Sequence, residues 1–369
     1  MKAPRKIGII GVGLIGGSLS LALKKSWPKS KIVGYHDDID HLKQALKLRV
    51  IDEAVDDLSA FCDDADFIFI CLPISLIIPI IKRLKPLLAE KTIVTDVGST
   101  KGNIVRQAEA ILAENGSFIG GHPMAGSEQR GVIAASATLF HGAVYVLTPT
   151  DKTSPSAFER LHGLLNNIGA RLIALSPDKH DSIVANVSHL PHILAASLIN
   201  SAADSTKEKD NILLFAAGGF RDMTRIAASN PDLWVDISVE NKAALLKALE
   251  SYMARLNKIA EILRDDDTDK LRDELILARK LRQSLSLVQR AEVRLQELEI
   301  PVTDSPGVIS RISLAFGRHG INIEDIQIFH TGKKSGIIRL MVSDSPSLDK
   351  AIIDLNKAGF TGIKKGLKL

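Results

Sequence analysis

Three groups of residues in this sequence have the type and setting to do chemistry. The first is the run Gly11-Val12-Gly13-Leu14-Ile15-Gly16, which follows the apolar stretch Lys6–Ile10 and opens a helical one. There Gly11 allows a tight turn, Gly13 lets the backbone approach a pyrophosphate, and Gly16 lets helix and strand pack closely. The helix N-terminus at Leu14 and Ile15 adds free N–H groups and a positive dipole end for phosphate. The second is His122, just past the strand candidate Phe118–Gly120. Imidazole titrates near neutral pH, as a general base should, and loops after the strands of open α/β sheets are where ligands bind. Ser99, just past the strand candidate Ile93–Asp96, either caps the helix beginning near Lys101 or hydrogen-bonds a substrate hydroxyl. The third is Arg225, whose planar guanidinium suits a carboxylate, with Asp222 nearby to orient it.

The glycine run has a second part. An acidic residue ending the second strand, roughly 20 residues on, binds the ribose hydroxyls in dinucleotide sites. Here that strand ends Gly34-Tyr35-His36-Asp37-Asp38, so His36 occupies the expected place and Asp37 follows it. Arg or Lys is missing there, and two carboxylates repel a 2′-phosphate, so the cofactor expected is NAD, with His36 and Asp37 at its ribose.

These residues must be positioned by a larger framework. Short β-like runs alternate with helical ones to about residue 170: Lys6–Ile10, Lys31–Tyr35, Phe67–Leu72, Ile93–Asp96, Phe118–Gly120 and Ala143–Thr148, with helices such as Gly16–Lys25, His41–Leu48 and Ile77–Leu88. Apolar runs alternating with helices read as a parallel sheet covered on both faces. After residue 176 strands vanish. Leu245, Leu249, Tyr252, Leu256, Ile259 and Leu263 recur at steps of four and three, and Leu271, Leu275, Ala278, Leu281, Leu285 and Val288 continue the stripe. Such stripes must be buried against other helices, so a helical dimerisation domain and a homodimer are expected. From Glu299 a β-α-β-β-α order returns: Val302–Ser305, Val308–His319, Ile321–Phe329, Gly336–Val342 and Leu348–Ala358. The fold class is therefore α/β, with an N-terminal Rossmann-type parallel sheet over residues 1–170, an all-helical substrate and dimerisation domain over 171–295, and a small ferredoxin-like α+β module over 296–369.

Composition narrows the function class. The net charge of +4 is small for 369 residues and only 4% are aromatic, which gives neither a basic face nor stacking groups for nucleic acid. Two cysteines, Cys62 and Cys71, cannot build a disulfide framework or a cysteine-rich metal site. The basic start followed by Ile7–Leu23 superficially matches a signal peptide, but its glycines serve the phosphate turn instead. Outside that stretch the sequence reading finds no run of bilayer-spanning length, so a cytoplasmic protein without a membrane partner is expected.

Four motifs, in this order, carry a family resemblance: Asp96-Val97-Gly98-Ser99-Thr100-Lys101; Gly121-His122-Pro123-Met124-Ala125-Gly126-Ser127-Glu128; Val187-Ser188-His189-Leu190-Pro191-His192; and Gly218-Gly219-Phe220-Arg221-Asp222-Met223-Thr224-Arg225-Ile226-Ala227. Over residues 5–290 the chain resembles the prephenate dehydrogenase family. The tail, with Asp304-Ser305-Pro306-Gly307-Val308 and Gly320-Ile321-Asn322-Ile323, resembles an ACT domain. The resemblance implies NAD-dependent oxidative decarboxylation of prephenate to 4-hydroxyphenylpyruvate, or of arogenate to tyrosine, in tyrosine biosynthesis. It assigns His122 and Ser99 to catalysis and Arg225 to a substrate carboxylate. His192, Trp234 and Glu128 line the substrate pocket, with Ser127 and His189 beside them. His189 and His192, three apart, share a helix face, and with no third ligand evident a metal is not expected. The tail implies tyrosine as an effector, held by Asp304, Pro306, Gly307 and Asn322, whose turn offers N–H groups to an α-carboxylate.

Two other classes compete. A β-hydroxyacid-type dehydrogenase usually places a catalytic lysine on the first helix of the helical domain, yet Asn186–Ala202 has no lysine. A regulator that binds NAD and an amino acid without catalysis has no need of His122, Ser99 and Arg225 together.

Overall fold

The computed structural model describes residues 3–368 apart from 37, 114–116, 127–128, 130, 205–214, 289–294, 304, 306, 322, 331–334 and 344. The chain divides into two compact units, Met1–Arg255 and Leu256–Leu369.

The first unit is built on an eight-stranded sheet: β1 (Lys6–Ile10), β2 (Lys31–Tyr35), β3 (Glu53–Val55), β4 (Phe67–Ile70), β5 (Ile93–Asp96), β6 (Ser117–Pro123), β7 (Val144–Thr148) and β8 (Arg171–Ala174). Its order is β3-β2-β1-β4-β5-β6-β7-β8. Strands β1 to β6 run parallel, as the sequence leads one to expect, but β7 pairs antiparallel to β6 and β8 follows β7 in parallel. Strands β3 and β8 escape the sequence reading because they are three and four residues long and not wholly buried. The run Phe67-Ile68-Phe69-Ile70 shows why the sheet forms: Phe67 and Phe69 fill one core, Ile68 and Ile70 the other, and all four are buried. Two-sided burial favours a continuous β-branched and aromatic run over an alternating one.

Helix α1 (Leu14–Ser26) follows β1, α2 (Ile39–Lys47) follows β2, α3 (Leu58–Cys62) precedes β4, α4 (Ile74–Leu84) follows β4, α5 (Gly102–Leu112) follows β5, and α6 (Pro155–Asn166) joins β7 to β8. Since β1 leads outward to β2 and β4 continues on the other side, the sheet reverses direction between β1 and β4. A switch point of this kind opens a crevice at the carboxyl ends of the strands.

A continuous helical stretch then runs from Pro177 to Asp204: α7 (Pro177–Val184), a π-helical turn (Ala185–His189) and α8 (Leu190–Asp204). By length and apolarity it could cross a membrane, which corrects the expectation that no further segment could. Part of it packs within this unit, where Ala185 and Leu190 form a small core with Leu245 and Ala248. Helices α9 (Gly218–Thr224), α10 (Pro231–Glu240) and α11 (Lys242–Arg264) follow.

The second unit contains α12 (Thr268–Val288) and a four-stranded antiparallel sheet of β9 (Leu295–Thr303), β10 (Ile323–His330), β11 (Ser335–Ser343) and β12 (Lys364–Lys368), with α13 (Val308–Arg318) and α14 (Leu348–Lys357). The order β10-β11-β9-β12 completes a β-α-β-β-α-β module around Leu298, Ile300, Phe316, Leu340 and Leu355. The closing strand β12 was missed by the sequence reading because Lys-Lys-Gly-Leu-Lys looks like a solvated tail. Lys364 and Lys365 pair instead with Glu299 and Leu298 of β9.

The helical stripe is only partly covered within the chain. Leu245 is buried and Leu249 and Tyr252 pack partly, but Leu256, Leu263, Leu275 and Leu281 are exposed on the single chain. The side chains of Leu285 and Val288 lie outside the described ones. Apolar faces of this length left open on one chain are the surface a second subunit covers.

Candidate active site

The phosphate turn is built as its glycines require. Gly11 has φ +85°, and a Cβ there would stand 2.5 Å from the Cys71 carbonyl oxygen. A Cβ at Gly16 would collide with the Gly11 carbonyl oxygen, so the strand and α1 can approach only through glycine. Gly13 differs, since a Cβ there would meet no protein atom within 4 Å. Its lack of a side chain therefore serves something outside the fold, which fits a pyrophosphate at the N-terminus of α1, beside Leu14 and Ile15.

At the neighbouring strand end, Asp38 N–H donates to His36 Nδ1 at 2.9 Å, and the His36 and His41 rings stack with centroids 4.9 Å apart. Asp38 caps α2, its carboxylate accepting from Asp40 N at 2.9 Å and bonded to His41 Nδ1 at 3.0 Å. The His41 hydrogen bond holds the Asp38 carboxyl below its usual range. Asp37 lies outside the described residues.

The catalytic candidates sit where β5 and β6 end. Asp96 and Lys101 form an ion pair in which both side chains are fully buried. Burial lowers the lysine pKa, and Asp96 opposes the shift. Asp96 also accepts from Gly98 N at 2.8 Å and from Gly121 N at 3.1 Å. One carboxylate thereby ties the turn carrying Ser99 to the residue before His122. Helix α5 takes its N-terminal cap from Asp181 of α7, which accepts from Lys101 N and Gly102 N at 2.7 Å each. The reading of Ser99 as the cap of this helix is thus replaced.

His122 lies within β6, opposite Val146 of β7, rather than in a loop after the strand. The sequence reading ends the strand at Gly120 because glycines weaken strands; here β6 changes its partner from β5 to β7 at that glycine and continues. His122 is buried, and its Nδ1 is 2.8 Å from His180 Nε2; His180 Nδ1 is in turn 2.8 Å from Asp181 Oδ1. Burial first, then His180, Lys101 and His189, push the His122 pKa well below 6.5.

The π-helical turn ends at His189, and such turns re-aim side chains at functional sites. Asn241 Nδ2, donating to Asp181 O at 2.9 Å, is also 3.1 Å from His189 Nδ1, which makes that nitrogen the acceptor. Burial lowers the His189 pKa to about 4, so the imidazole is neutral. Trp234 of α10 completes this wall. His192 stacks on it at 3.6 Å and 7°, and His189 meets it edge-on at 6.0 Å. His192 Nδ1 is buried without a hydrogen-bond partner among the described residues, a polar atom that a substrate group can satisfy. Helix α10 is held against the sheet domain by Ser75 Oγ donating to Asp236 at 2.8 Å and Asn103 Nδ2 donating to Glu240 at 2.8 Å.

Arg225 opens the single 3-10 turn Arg225–Ala228 after α9, and its side chain is exposed on the single chain. Ser127 and Glu128, and in the tail Asp304, Pro306 and Asn322, lie outside the described residues. Gly307 is described: it takes φ +83° immediately before α13. The structure thus brings His122, His189, His192 and Trp234 into one region. His180, Asp181, Asn241 and the Asp96–Lys101 pair received no role in the sequence reading. The available signal was the adjacent His-Asp pair four residues after the Ser176-Pro177 helix start, an unusual place for two titratable side chains unless they are used.

Comparison with known proteins is specific. Residues 19–174 match the family model of the prephenate dehydrogenase nucleotide-binding domain, 176–277 that of the prephenate dehydrogenase dimerization domain, and 298–359 that of an AHAS small subunit-like ACT domain. The chain is 37% identical to the prephenate dehydrogenase of Bacillus subtilis over 335 residues, 90% of each chain. Its fold is similar to the crystal structure of prephenate dehydrogenase from A. aeolicus in complex with hydroxyphenyl propionate and NAD+. There the TM-score is 0.72 and the identity 33%, covering 76% of this chain and 98% of that one. It is also similar to Synechocystis arogenate dehydrogenase, with a TM-score of 0.69 and 35% identity, covering 76% and 99%.

Proposed function

The chain belongs to the prephenate dehydrogenase family, and from that premise we propose that it converts prephenate to 4-hydroxyphenylpyruvate and carbon dioxide with NAD. The observation that carries the reading is the buried, neutral His122 facing the same region as the His189–His192–Trp234 wall. When bound, the oxidised nicotinamide supplies a hydride acceptor. His122 takes the proton of the ring hydroxyl, with Ser99 holding that hydroxyl toward it. Arg225 faces a substrate carboxylate bidentately, and His192 and Trp234 hold the side chain. His189 supports this wall as a neutral donor, and Ser127 and Glu128 are further substrate-binding candidates. Loss of the ring carboxylate makes the ring aromatic, so the chain mainly has to orient, deprotonate and exclude water. An assay of prephenate with NAD, read by absorbance of the reduced cofactor, tests this. Turnover of arogenate but not prephenate would replace the reading by direct formation of tyrosine.

The domain bounds proposed are 1–170, 171–295 and 296–369. The dimerisation match and the open apolar face of α11 and α12 support a homodimer, and the reaction is consistent with a cytoplasmic enzyme. NAD is expected to outperform NADP in steady-state kinetics, because the Asp38 carboxylate stays ionised at the ribose end and Asp37 adds a second charge. A preference for NADP would overturn that charge argument.

We also propose tyrosine as the effector of the C-terminal module, held at the turn Asp304-Ser305-Pro306-Gly307 and by Asn322. The positive φ of Gly307 directly before an 11-residue helix supports the reading, since free N–H groups there can meet an α-carboxylate. Inhibition requires that tyrosine bind a less active state more tightly. A chain truncated after about Leu295 is expected to remain an active dimer that no longer responds to tyrosine. Absence of amino-acid binding by the full chain in titration calorimetry would leave the module a structural one.

A further inference from the structure

We propose that His180, backed by Asp181, is a positioning residue that fixes the tautomer of His122 and shares its charge during turnover; this rests on His122 being the base. The order of donors and acceptors leads to one arrangement. Burial alone would raise the Asp181 pKa, but the hydrogen bond to His180 and those from Gly102 N and Lys101 N outweigh it and keep the carboxylate ionised. An ionised carboxylate only accepts, so His180 Nδ1, 2.8 Å away, is the donor. A singly protonated His180 then has a bare Nε2, which accepts from His122 Nδ1 at 2.8 Å. His122 is left with Nε2 unprotonated, the lone pair that a base needs. His180 is 1% exposed, so water does not compete for either bond.

Proton accounting gives the pair a second task. The hydroxyl proton moves to His122 Nε2 as the hydride leaves the ring carbon with its electron pair. The bond to the ring carboxylate then breaks, its pair enters the ring, and the oxygen becomes a phenolate that takes the proton back. His122 therefore holds a positive charge only between these two steps. Throughout, His122 Nδ1–H stays directed at His180 Nε2, and the negative charge of Asp181 lies at the far end of His180. The same carboxylate caps α5, so the segment after Ser99 and the orientation of the base share one anchor.

The test compares His180→Phe, which removes the acceptor, with His180→Gln, which keeps one. Outer partners that orient a working imidazole are typically worth about 10–100-fold. His180→Phe is expected to lower kcat by about that much while KM for prephenate and NAD barely changes, and His180→Gln to recover part of the loss. The groups facing His122 are His180 from α7, Lys101 before α5, and His189 at the end of the π-helical turn. In this arrangement His180 is a neutral acceptor, so removing it leaves the His122 imidazolium less stabilised. The pH below which kcat/KM falls should therefore move downward in His180→Phe, and less in His180→Gln, which keeps an acceptor. On a His122→Ala background neither substitution should lower kcat further, because His180 acts through His122. If His180→Phe fails to bind NAD, His180→Gln carries the pH and double-variant readouts alone. Wild-type kcat with an unmoved acid limb, or an undiminished loss on the His122→Ala background, would overturn the proposal. A wild-type chain inactive on prephenate would instead remove the assigned reaction.

Discussion

Replacing His122 by alanine or asparagine is expected to lower kcat for prephenate by about 10²–10⁴-fold, the usual share of a positioned base. NAD affinity should barely change, because the phosphate turn at Gly11–Gly16 belongs to a different strand end. The pH profile follows from the same site. Burial above all, with Lys101 nearby, keeps His122 unprotonated well below pH 6.5, so activity should persist there and fall only as pH drops through the lowered value. A folded His122 variant with near wild-type turnover removes the residue from the mechanism.

Arg225→Ala is expected to act on binding instead. Truncating one partner of a desolvated charge pair commonly costs tens to thousands of fold, and here that loss should appear in KM. The exposure of Arg225 on the single chain sets a condition, since the larger figure applies only if bound substrate and the surrounding elements exclude water from it. A KM that is unchanged for prephenate and for arogenate would show that Arg225 binds neither carboxylate.

Local signals made the framework legible. Lys6–Ile10 followed by Gly11-Val12-Gly13-Leu14-Ile15-Gly16 places a strand, a turn and a helix within about twenty residues, and the structure gives Gly11 and Gly16 a steric reason. The elements that were misjudged are those whose neighbours lie far away in sequence. β12 is a strand only because β9, more than sixty residues earlier, offers it an edge. His122 is in a strand only because β7 arrives to pair beyond Gly120. The stripe of α11 and α12 is expected to meet a second subunit, and much of it is open on the single chain, since periodicity states that a face is apolar and not which chain covers it.

Sequence alone determined the class of chemistry: a dinucleotide turn, a histidine after the strand-forming run, an arginine for a carboxylate and a sensing-type tail are all short patterns, readable because each depends on residues adjacent along the chain. Only the tertiary structure decided how the base is made ready. Asp96 joins the turn of Ser99 to Gly121, and Asp181, about eighty residues from Lys101, caps α5 while holding His180 against His122. Which nitrogen of His122 carries the proton depends on that sequence of hydrogen bonds. The partners come from β6, α7 and the start of α5, and their geometry exists only once these elements have packed.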